Sequence, residues 1–320
     1  MAAREERDRI LQIARLYYEA DQTQQEIAHQ LQVSCSTVSR LLKRGRALGI
    51  VHIGIHDPYA THIQLEKALV ERFGLRAAVV AAQTDGLPDE LLRKRIGQAA
   101  AGYLAGILRD GDVVGMGWGR TLYQMVKALK DIDTKARIEV IPLLGGLGQI
   151  APSLQVNDLA RRLSDSFGGS WSPCFAPAIL PDREVGESLK GTNGLRQVID
   201  RWDDLDIALI GIGSGAFDSG FEVLFAKYLE TNVKELLRAS RVAGDICLRF
   251  FSAEGDLCTG WPAEILGISL EQIRRTSLVI GVAGGHSKPK AILGAIRGGY
   301  LKILITDEVT AKTLLEAKDA

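Results

Sequence analysis

The chain has 320 residues, more than one hydrophobic core usually organises, so we expect two domains. Hydrophobic residues make up 46% and charged residues 24%, and 39 basic residues balance 39 acidic ones, which is typical of globular proteins. No apolar run approaches the roughly 20 residues that span a bilayer, and the charged N-terminus is unlike a signal peptide. These features argue against a membrane protein and indicate a cytoplasmic one.

The four cysteines, Cys35, Cys174, Cys247 and Cys258, argue against a metalloprotein. They form no C-x-x-C pair and have no histidine partners at metal-ligand spacing. We therefore expect reduced thiols that behave as small buried hydrophobic side chains, with no structural zinc and no cofactor.

The neutral net charge hides a local cluster of cations. Residues 27–56 contain no Asp or Glu, whereas Arg40, Lys43, Arg44 and Arg46 fall together. Attraction to phosphate depends on one face of a protein rather than on the whole chain. Nucleic acid therefore remains a candidate partner.

Three helices are predicted in the first 46 residues. Residues 5–20 carry apolar side chains at helical spacing, and residues 23–26, Thr-Gln-Gln-Glu, form a capping box that begins a short helix to about residue 31. After a tight turn, Ser34 or Ser36 caps another helix to about residue 46. This is the spacing of a helix-turn-helix. Gln32 stands where glycine normally supplies a positive φ, at a cost on the order of 1 kcal/mol.

The outward face of the last of these helices has the character of a DNA-reading surface. It carries short hydroxyl side chains at its N-terminal end and cations farther along. In a helix-turn-helix the start of the recognition helix meets base edges, and flanking groups meet phosphates. The alternative is a helical hairpin used for dimerisation. We expect double-stranded DNA to be contacted by Gln24, Ser34, Ser36, Thr37, Ser39, Arg40, Lys43 and Arg44.

A short strand is predicted to follow the helix-turn-helix. Residues 50–56 alternate apolar and polar side chains, as the wing of a winged helix does. His52 and His56 share one face of this strand and are interpreted as exposed residues near phosphate. The Asp57-Pro58 pair ends the segment, which predicts a DNA-binding domain over 1–57 and a second domain over 58–320.

The second domain alternates strands and helices, which predicts an α/β fold with a doubly wound, mainly parallel sheet. The predicted strands are 76–82, 112–117, 137–144, 206–212, 277–283 and 301–306. The predicted helices are 61–73, 87–108, 120–130, 154–167, 289–297 and 309–317. Asp307 and Glu308 are interpreted as caps at the start of the last of these helices.

Glycine clusters follow four of the predicted strands, at 115–119, 145–148, 211–215 and 284–285. Ligands of open α/β sheets bind at the carboxyl ends of the strands, and glycine lets backbone N–H groups approach an anion there. The clusters contain neither a P-loop nor a dinucleotide-binding fingerprint. They therefore predict an anion site of another kind.

Several single residues near these clusters have two interpretations. Arg120 and Lys288 stand at helix starts, where the helix dipole disfavours a cation unless an anion binds, so each is an anion ligand or a solvated surface charge. Asp245 is expected to precede a strand ending at residue 251. Its carboxylate either accepts hydrogen bonds from sugar hydroxyl groups or only satisfies the backbone of a turn. Asn157 either contacts the ligand or flanks a helix. Trp118 either contacts the ligand or fills a gap in the packing.

Along nearly its whole length the chain resembles the SorC/DeoR-type sugar-binding transcriptional regulators. The N-terminal motifs that carry the resemblance are residues 23–28, 36–42 and 49–51. Those of the second domain are 115–121, 145–146, 211–213, 244–246, 281–285, Lys288 and 306–307. Each motif is unspecific alone, whereas the combination is specific.

The resemblance implies an effector domain related to sugar-phosphate isomerases but without isomerase activity. It implies a phosphate held by residues 117–121 and Lys288, with Asp245 near the hydroxyls, and a dimer or tetramer on operator DNA. The implied effector is a sugar phosphate or the phosphorylated furanone-like signal of a quorum-sensing relative. The predicted effector-binding residues are Gly117, Trp118, Gly119, Arg120, Thr121, Gly145, Gly146, Asn157, Gly213, Asp245, Gly285 and Lys288.

Two other classes of function compete with a regulator. A sugar-phosphate isomerase or deaminase fused to a DNA-binding domain needs a positioned general base, and Asp245 is the one candidate. A nucleotide-binding module is disfavoured by the missing phosphate-binding motifs.

Overall fold

The computed structural model of the chain describes residues 2–18, 20, 22–48, 50–51, 62–82, 84–132, 136–148, 150–215, 241–259 and 263–317. The chain divides into two compact units, Met1–Asp57 and Pro58–Ala320.

The described residues of the first unit form three helices, α1 (Ala2–Tyr18), α2 (Gln24–Gln30) and α3 (Cys35–Ala47). Their apolar faces share one small core, formed by Ile10, Ile13, Ile27, Ala28, Val38, Leu41 and Leu42. Full burial of each large aliphatic side chain contributes about 1.5–3 kcal/mol, so this core is the main source of the unit's stability. Gly45 lets α1 approach α3, since a Cβ there would lie 2.9 Å from Ile10 Cγ2.

The helix caps form as predicted. The Thr23 hydroxyl accepts from the Glu26 N–H at 3.3 Å, and the Glu26 carboxylate accepts from the Thr23 N–H at 2.8 Å. Of the two serines considered, Ser34 caps α3, accepting from the Thr37 N–H at 3.1 Å. Gln32 adopts the expected positive φ, 51°. The predicted wing, with His52 and His56, lies outside the described residues from residue 52 onward.

In the part of the second unit that the structure describes, seven strands form a parallel sheet in the order β1-β12-β11-β6-β2-β3-β4. These strands are β1 (Ala77–Ala81), β2 (Val113–Met116), β3 (Glu139–Pro142), β4 (Ser170–Trp171), β6 (Ile207–Ile210), β11 (Leu278–Val282) and β12 (Ile303–Asp307). The chain proceeds outward from β2 to β4 and then from β6 in the opposite direction to β12. The order therefore reverses between β2 and β6, which is a topological switch point.

Helices cover both faces of this sheet, as a doubly wound fold requires. One core contains apolar residues of α5 (Asp89–Ile107), α6 (Arg120–Ala128) and α7 (Val156–Ser166). The other contains those of α4 (Ile63–Phe73), α9 (Asn193–Asp200), α10 (Leu270–Arg275), α11 (Pro289–Arg297) and α12 (Glu308–Glu316). Val79 and Val80 of β1 belong to different cores because successive strand residues point to opposite faces.

Several elements were not predicted from the sequence. They are the helices α8 (Arg183–Lys190), α9 and α10, and the short strands β4, β5 (Ile179–Leu180), β7 (Gly213–Ser214) and β10 (Glu264–Ile265). The expectation that Asp245 precedes a strand running to residue 251 was only partly correct, because the run is a hairpin whose second strand alone follows Asp245. Asp245 lies within β8 (Val242–Ile246), which pairs antiparallel with β9 (Arg249–Ser252). The turn between them has φ of 49° at Cys247 and 66° at Leu248, where hairpins normally place Gly or Asn, so the sequence carried no turn signal.

The cysteines only partly match the expectation of buried thiols. Cys174 and Cys247 are buried and Cys258 is half-buried, whereas Cys35, the first residue of α3, is exposed because it lies at a helix start on the surface. Within the part of the chain that the structure describes, no helix has the length and hydropathy to cross a bilayer.

Candidate functional site

The predicted DNA contacts lie on and beside α3. Among them Ser36, Arg40, Lys43 and Arg44 are exposed, and Thr37 and Ser39 are half-buried. The helix has no acidic residue in its first turn and places Arg44 and Arg46 in its last. Its inward residues Val38, Leu41 and Leu42 alternate with these outward ones, so the core itself turns the basic face to solvent.

Hydroxyl groups at the start of α3 are already linked to one another. Ser34 Oγ lies 2.8 Å from Ser36 Oγ and 2.8 Å from Thr37 Oγ1. Ser34 therefore holds the other two hydroxyls in place while it caps the helix. Farther along, Arg44 forms an ion pair with Glu6 of α1 at 3.1 Å, so it must exchange that partner to reach a phosphate. Both side chains of the pair are exposed, and such pairs contribute little stability.

The second unit contains a cavity of about 530 Å³ at the carboxyl ends of β2, β6 and β11. This is the switch point of the sheet, where open α/β folds bind their ligands. Eight of the predicted effector residues line it: Trp118, Gly119, Arg120, Thr121, Gly213, Asp245, Gly285 and Lys288.

The structure does not bring the other four predicted residues, Gly117, Gly145, Gly146 and Asn157, to this cavity. Gly117 donates its N–H to Leu209 O at 2.8 Å, so it belongs to the contact of β2 with β6. Gly145 packs so closely that a Cβ would lie 2.4 Å from Ala176 O. The Asn157 side chain bridges the backbone N–H and C=O of Cys174, both at 3.0 Å. Gly145 and Gly146 therefore pack the loop after β3 against residues 176–178, and Asn157 fixes the backbone just before that segment.

Helix N-termini meet the cavity in two different ways. The first turn of α5 contains Asp89 and Glu90, which complement the helix dipole. The first turns of α6 and α11 contain no acid, and instead Arg120 begins α6 and Lys288 is the N-cap of α11. Two positive helix ends therefore carry additional positive charge toward one cavity.

Lys288 and Asp245 are held in place by backbone contacts. Lys288 Nζ donates to Ile212 O at 2.9 Å, which fixes the ammonium group beside the end of β6. Asp245 is 6% exposed, and its Oδ2 accepts from the Leu248 N–H at 3.2 Å. Gly213 pairs with Asp245 across β7 and β8, and the absence of a side chain there makes room for the carboxylate.

A buried carboxylate, that of Asp307, fixes the glycine loop after β11 by hydrogen bonds. Asp307 is fully buried and accepts from the Gly285 N–H at 2.7 Å and from the Thr310 N–H at 2.9 Å. It thereby caps α12, as predicted, and also fixes Gly285, whose φ is 105°. The Gly285 N–H is engaged by this contact, so the loop meets the cavity with its other groups.

Sequence reasoning missed part of the lining. Asp89 and Arg93 of α5 and His286 and Ser287 of the loop after β11 are polar lining residues that it did not single out. An apolar portion comes from Leu92, Ile150, Ala151 and Leu154. A polar residue in the first turn of a helix that follows a strand was the available signal for Asp89. Among the described residues, no cluster of His, Cys, Asp and Glu is arranged to hold a metal ion.

Cys247 also lines the cavity, but as a neutral group. Burial, and then the nearby Asp245 carboxylate, raise the pKa of its thiol well above the usual range. A thiol held protonated is a poor nucleophile, so Cys247 contributes shape rather than reactivity.

A helix-turn-helix and an α/β domain with a cation-bearing cavity at its switch point are the parts of a ligand-responsive transcriptional regulator. A profile of the sugar-binding domain family matches residues 57–316, and a profile of region 4 of sigma-70 matches residues 7–47. The chain belongs to the SorC family of sugar-binding transcriptional regulators.

Individual relatives share this architecture over their whole length. The sorbitol operon regulator of Klebsiella pneumoniae is 35% identical over 309 residues, covering 96% of this chain and 97% of that protein. The deoxyribonucleoside regulator of Bacillus subtilis (strain 168) is 32% identical over 318 residues, covering 98% of each. The crystal structure of the full-length K. pneumoniae regulator SorC has a TM-score of 0.76, with 96% of this chain and 98% of that chain covered.

Proposed function

We propose that this regulator binds a phosphorylated sugar, or a phosphorylated sugar-like signal, in the cavity at the switch point, and that binding changes its affinity for operator DNA. The observation that carries the proposal is the pair of helix N-termini that bear cations, Arg120 and Lys288, at one cavity.

The electrostatic reason is the sign of the helix dipole. A charge at a helix terminus changes the free energy by about 0.3–1 kcal/mol, and a cation at the N-terminus is on the unfavourable side. A phosphate between the two helix starts reverses the sign of both contributions and accepts hydrogen bonds from the N–H groups of the first turns. Lys288 and Arg120 then become ligands whose charges are neutralised by the effector.

The rest of the lining suits the carbon skeleton and hydroxyls of a sugar. Asp245 presents a carboxylate, an acceptor for sugar hydroxyl groups, while Trp118, Ile150 and Leu154 offer apolar contact. A volume of about 530 Å³ is in the range of small-molecule sites. Both properties suit a small polyol phosphate.

The remaining parts of the proposal follow from DNA recognition. The exposed face of α3, with Ser36, Arg40 and Lys43, reads the operator, and the chain acts in the cytoplasm as a dimer or tetramer without enzymatic activity. Two-fold symmetry is the usual match between a helix-turn-helix and a palindromic site.

A thermal-shift experiment tests the phosphate requirement. The full chain is screened against pairs of sugars, each phosphorylated and unphosphorylated. A ligand at 100 times its dissociation constant stabilises the native state by about 2.7 kcal/mol. We expect stabilisation by at least one phosphorylated member and not by its free sugar, and operator affinity measured by fluorescence anisotropy should change with the same compound.

Matched variants tie that result to the cavity. Lys288→Ala should weaken the phosphorylated compound far more than its free sugar, whereas Lys290→Ala, an exposed lysine two residues on, should bind like the wild type. Equal loss with both kinds of compound would remove the phosphate role from Lys288. Stabilisation by free sugars alone would contradict a phosphorylated effector.

A further inference from the structure

Arg93 of α5 is a lining residue that neither the glycine loops nor the helix starts account for. Its side chain is only 22% exposed, low for an arginine on a helix surface, and it belongs to the wall of the cavity. It is thus a third cation at a site that already holds Arg120 and Lys288.

The packing of α5 against α6 gives the level at which Arg93 stands. Both helices follow strands of the same parallel sheet, so they run in the same direction. A Cβ on Gly97 would lie 2.7 Å from the backbone of Gln124 and Met125, so these positions are level. One helical turn, about four residues, toward the N-terminus places Arg93 level with Arg120 and Thr121.

The adjacent face of α5, about 100° around the helix from Gly97 and Arg93, meets the glycine loop after β11. Leu92 Cδ2 would lie 3.5 Å from a Cβ on Gly285, and Ile96 Cδ1 would lie 2.6 Å from one on Gly284. Arg93 therefore stands on a helix that packs between the two segments carrying the other cations, and an anion between those segments comes within reach of its long side chain.

The ion pair of Arg93 is suited to exchange. Its Nη1 lies 3.4 Å from Asp89 Oδ2, at the long end of hydrogen-bonding distance, and the Asp89 side chain is 81% exposed. A solvated carboxylate at this distance holds a guanidinium loosely. Phosphate, with more charge and three acceptor oxygens, is a stronger partner for the same planar group.

We propose that Arg93 is a third ligand of the effector's phosphate, and that Asp89 retains its guanidinium until the anion arrives. This inference rests on the proposed function, since it concerns the same cavity. The exchange makes Asp89 a competitor of the effector for Arg93, so the Asp89 carboxylate lowers the affinity of the site for the effector.

Inorganic phosphate serves as the probe, titrated to about 50 mM into the full chain with chloride balancing the ionic strength, so that screening stays constant. Arg93→Gln should weaken phosphate binding about tenfold or more, the effect of losing a charged hydrogen-bond partner. Lys94→Gln, which removes the same charge from an exposed neighbour outside the lining, should bind like the wild type.

Variants of Asp89 distinguish exchange of the Arg93 partner from direct repulsion between the Asp89 carboxylate and phosphate. Asp89→Asn should strengthen phosphate binding several-fold, and Glu90→Gln, an equal charge change in the same turn, should not. In the Arg93→Gln background the gain from Asp89→Asn should disappear, because no guanidinium remains to be released. An equal gain in both backgrounds would overturn the proposal, since it would mean through-space repulsion.

Two further results are decisive. Phosphate affinity that is unchanged in Arg93→Gln would overturn this inference and leave the proposed function standing. No phosphate binding by the wild type would overturn both. Asp89→Asn changes an exposed side chain, so unchanged phosphate affinity in this variant would overturn the exchange even if Arg93→Gln folds poorly.

Discussion

Replacing Gly213 by alanine tests the placement of Asp245 directly. A Cβ at this position would lie 1.7 Å from Asp245 Oδ1, about half the distance of ordinary van der Waals contact. The φ of Gly213 is not in the left-handed region, so the collision rather than backbone strain decides the outcome. The carboxylate must move away from its present position, and its contact with the Leu248 N–H breaks.

The expected cost follows from these two losses. Overpacking a buried site costs about 1–3 kcal/mol, and a lost hydrogen bond about 1 kcal/mol. The reduced entropy of the unfolded chain returns up to about 1 kcal/mol. We expect Gly213→Ala to lower the free energy of unfolding by about 2 kcal/mol and to weaken effector binding, because Asp245 no longer meets the sugar hydroxyls.

The four tryptophans, 118, 171, 202 and 261, all lie in Pro58–Ala320, so tryptophan fluorescence during urea unfolding reports on that unit alone. Gly146→Ala is the matched control, because a Cβ there meets its nearest atom at 3.7 Å and the expected change is within about 0.5 kcal/mol. If Gly213→Ala were as stable as Gly146→Ala and bound effector normally, the described position of Asp245 would be wrong.

Three other predictions concern the remaining parts of the molecule. Arg40→Ala should abolish or strongly weaken operator binding in an anisotropy assay without changing effector affinity. Lys67→Ala, which removes an exposed charge of the second unit, should change neither affinity. Loss of both operator and effector binding in Arg40→Ala would contradict the assignment of functions to the two units. A thiol reagent at pH 8 should modify the exposed Cys35 first and spare Cys174 until the protein unfolds, because burial raises the pKa of Cys174 to about 11; mass spectrometry showing early modification of Cys174 would refute this. Hydrogen bonds from the backbone N–H and then from the hydroxyl of Thr23 lower the pKa of Glu26, so the stabilising effect of this carboxylate is present above the usual carboxyl range and is lost as pH falls through the lowered value. A pH series of thermal unfolding followed by helical circular dichroism should show this loss, and removal of the Thr23 hydroxyl should reduce it without abolishing it, because the backbone N–H remains.

Features that depend on neighbours in sequence were predicted correctly from the sequence alone. The capping box at Thr23, the positive φ of Gln32 and the N-cap at Asp307 are settled by side chains within four residues of each other. Six of the seven strands described in the parallel sheet were likewise found, because burial on both faces leaves continuous apolar runs such as 207–210, whereas the two-residue strand β4 was missed. Most boundaries of these six strands lie one or two residues inside the predicted ones, whereas β12 extends one residue farther, to Asp307.

The membership of the cavity was decided only by the tertiary structure. Asp89 and Arg93 reach it because α5 crosses the sheet toward the loop after β11, more than 190 residues later in the chain. The glycines after β3 follow a strand end like the others, but hydrogen bonds of Gly146 with Ala176 and Ala178 hold their loop against residues 176–178 instead. The pattern of residues along the chain does not predict the order of strands in the sheet. That order determines which strand ends lie together and therefore which residues line the cavity.

Asp245 shows both limits together. The sequence identified a carboxylate of suitable chemistry, because Gly-Asp beside apolar residues is a local signal. Its position in a hairpin strand opposite Gly213 depends on a turn formed by Cys247 and Leu248, residues that rarely adopt positive φ. Long-range packing of the hairpin sustains that turn, and local sequence preference opposes it. The sequence therefore showed which side chain has suitable chemistry, and only the packing of distant segments determined where that side chain lies.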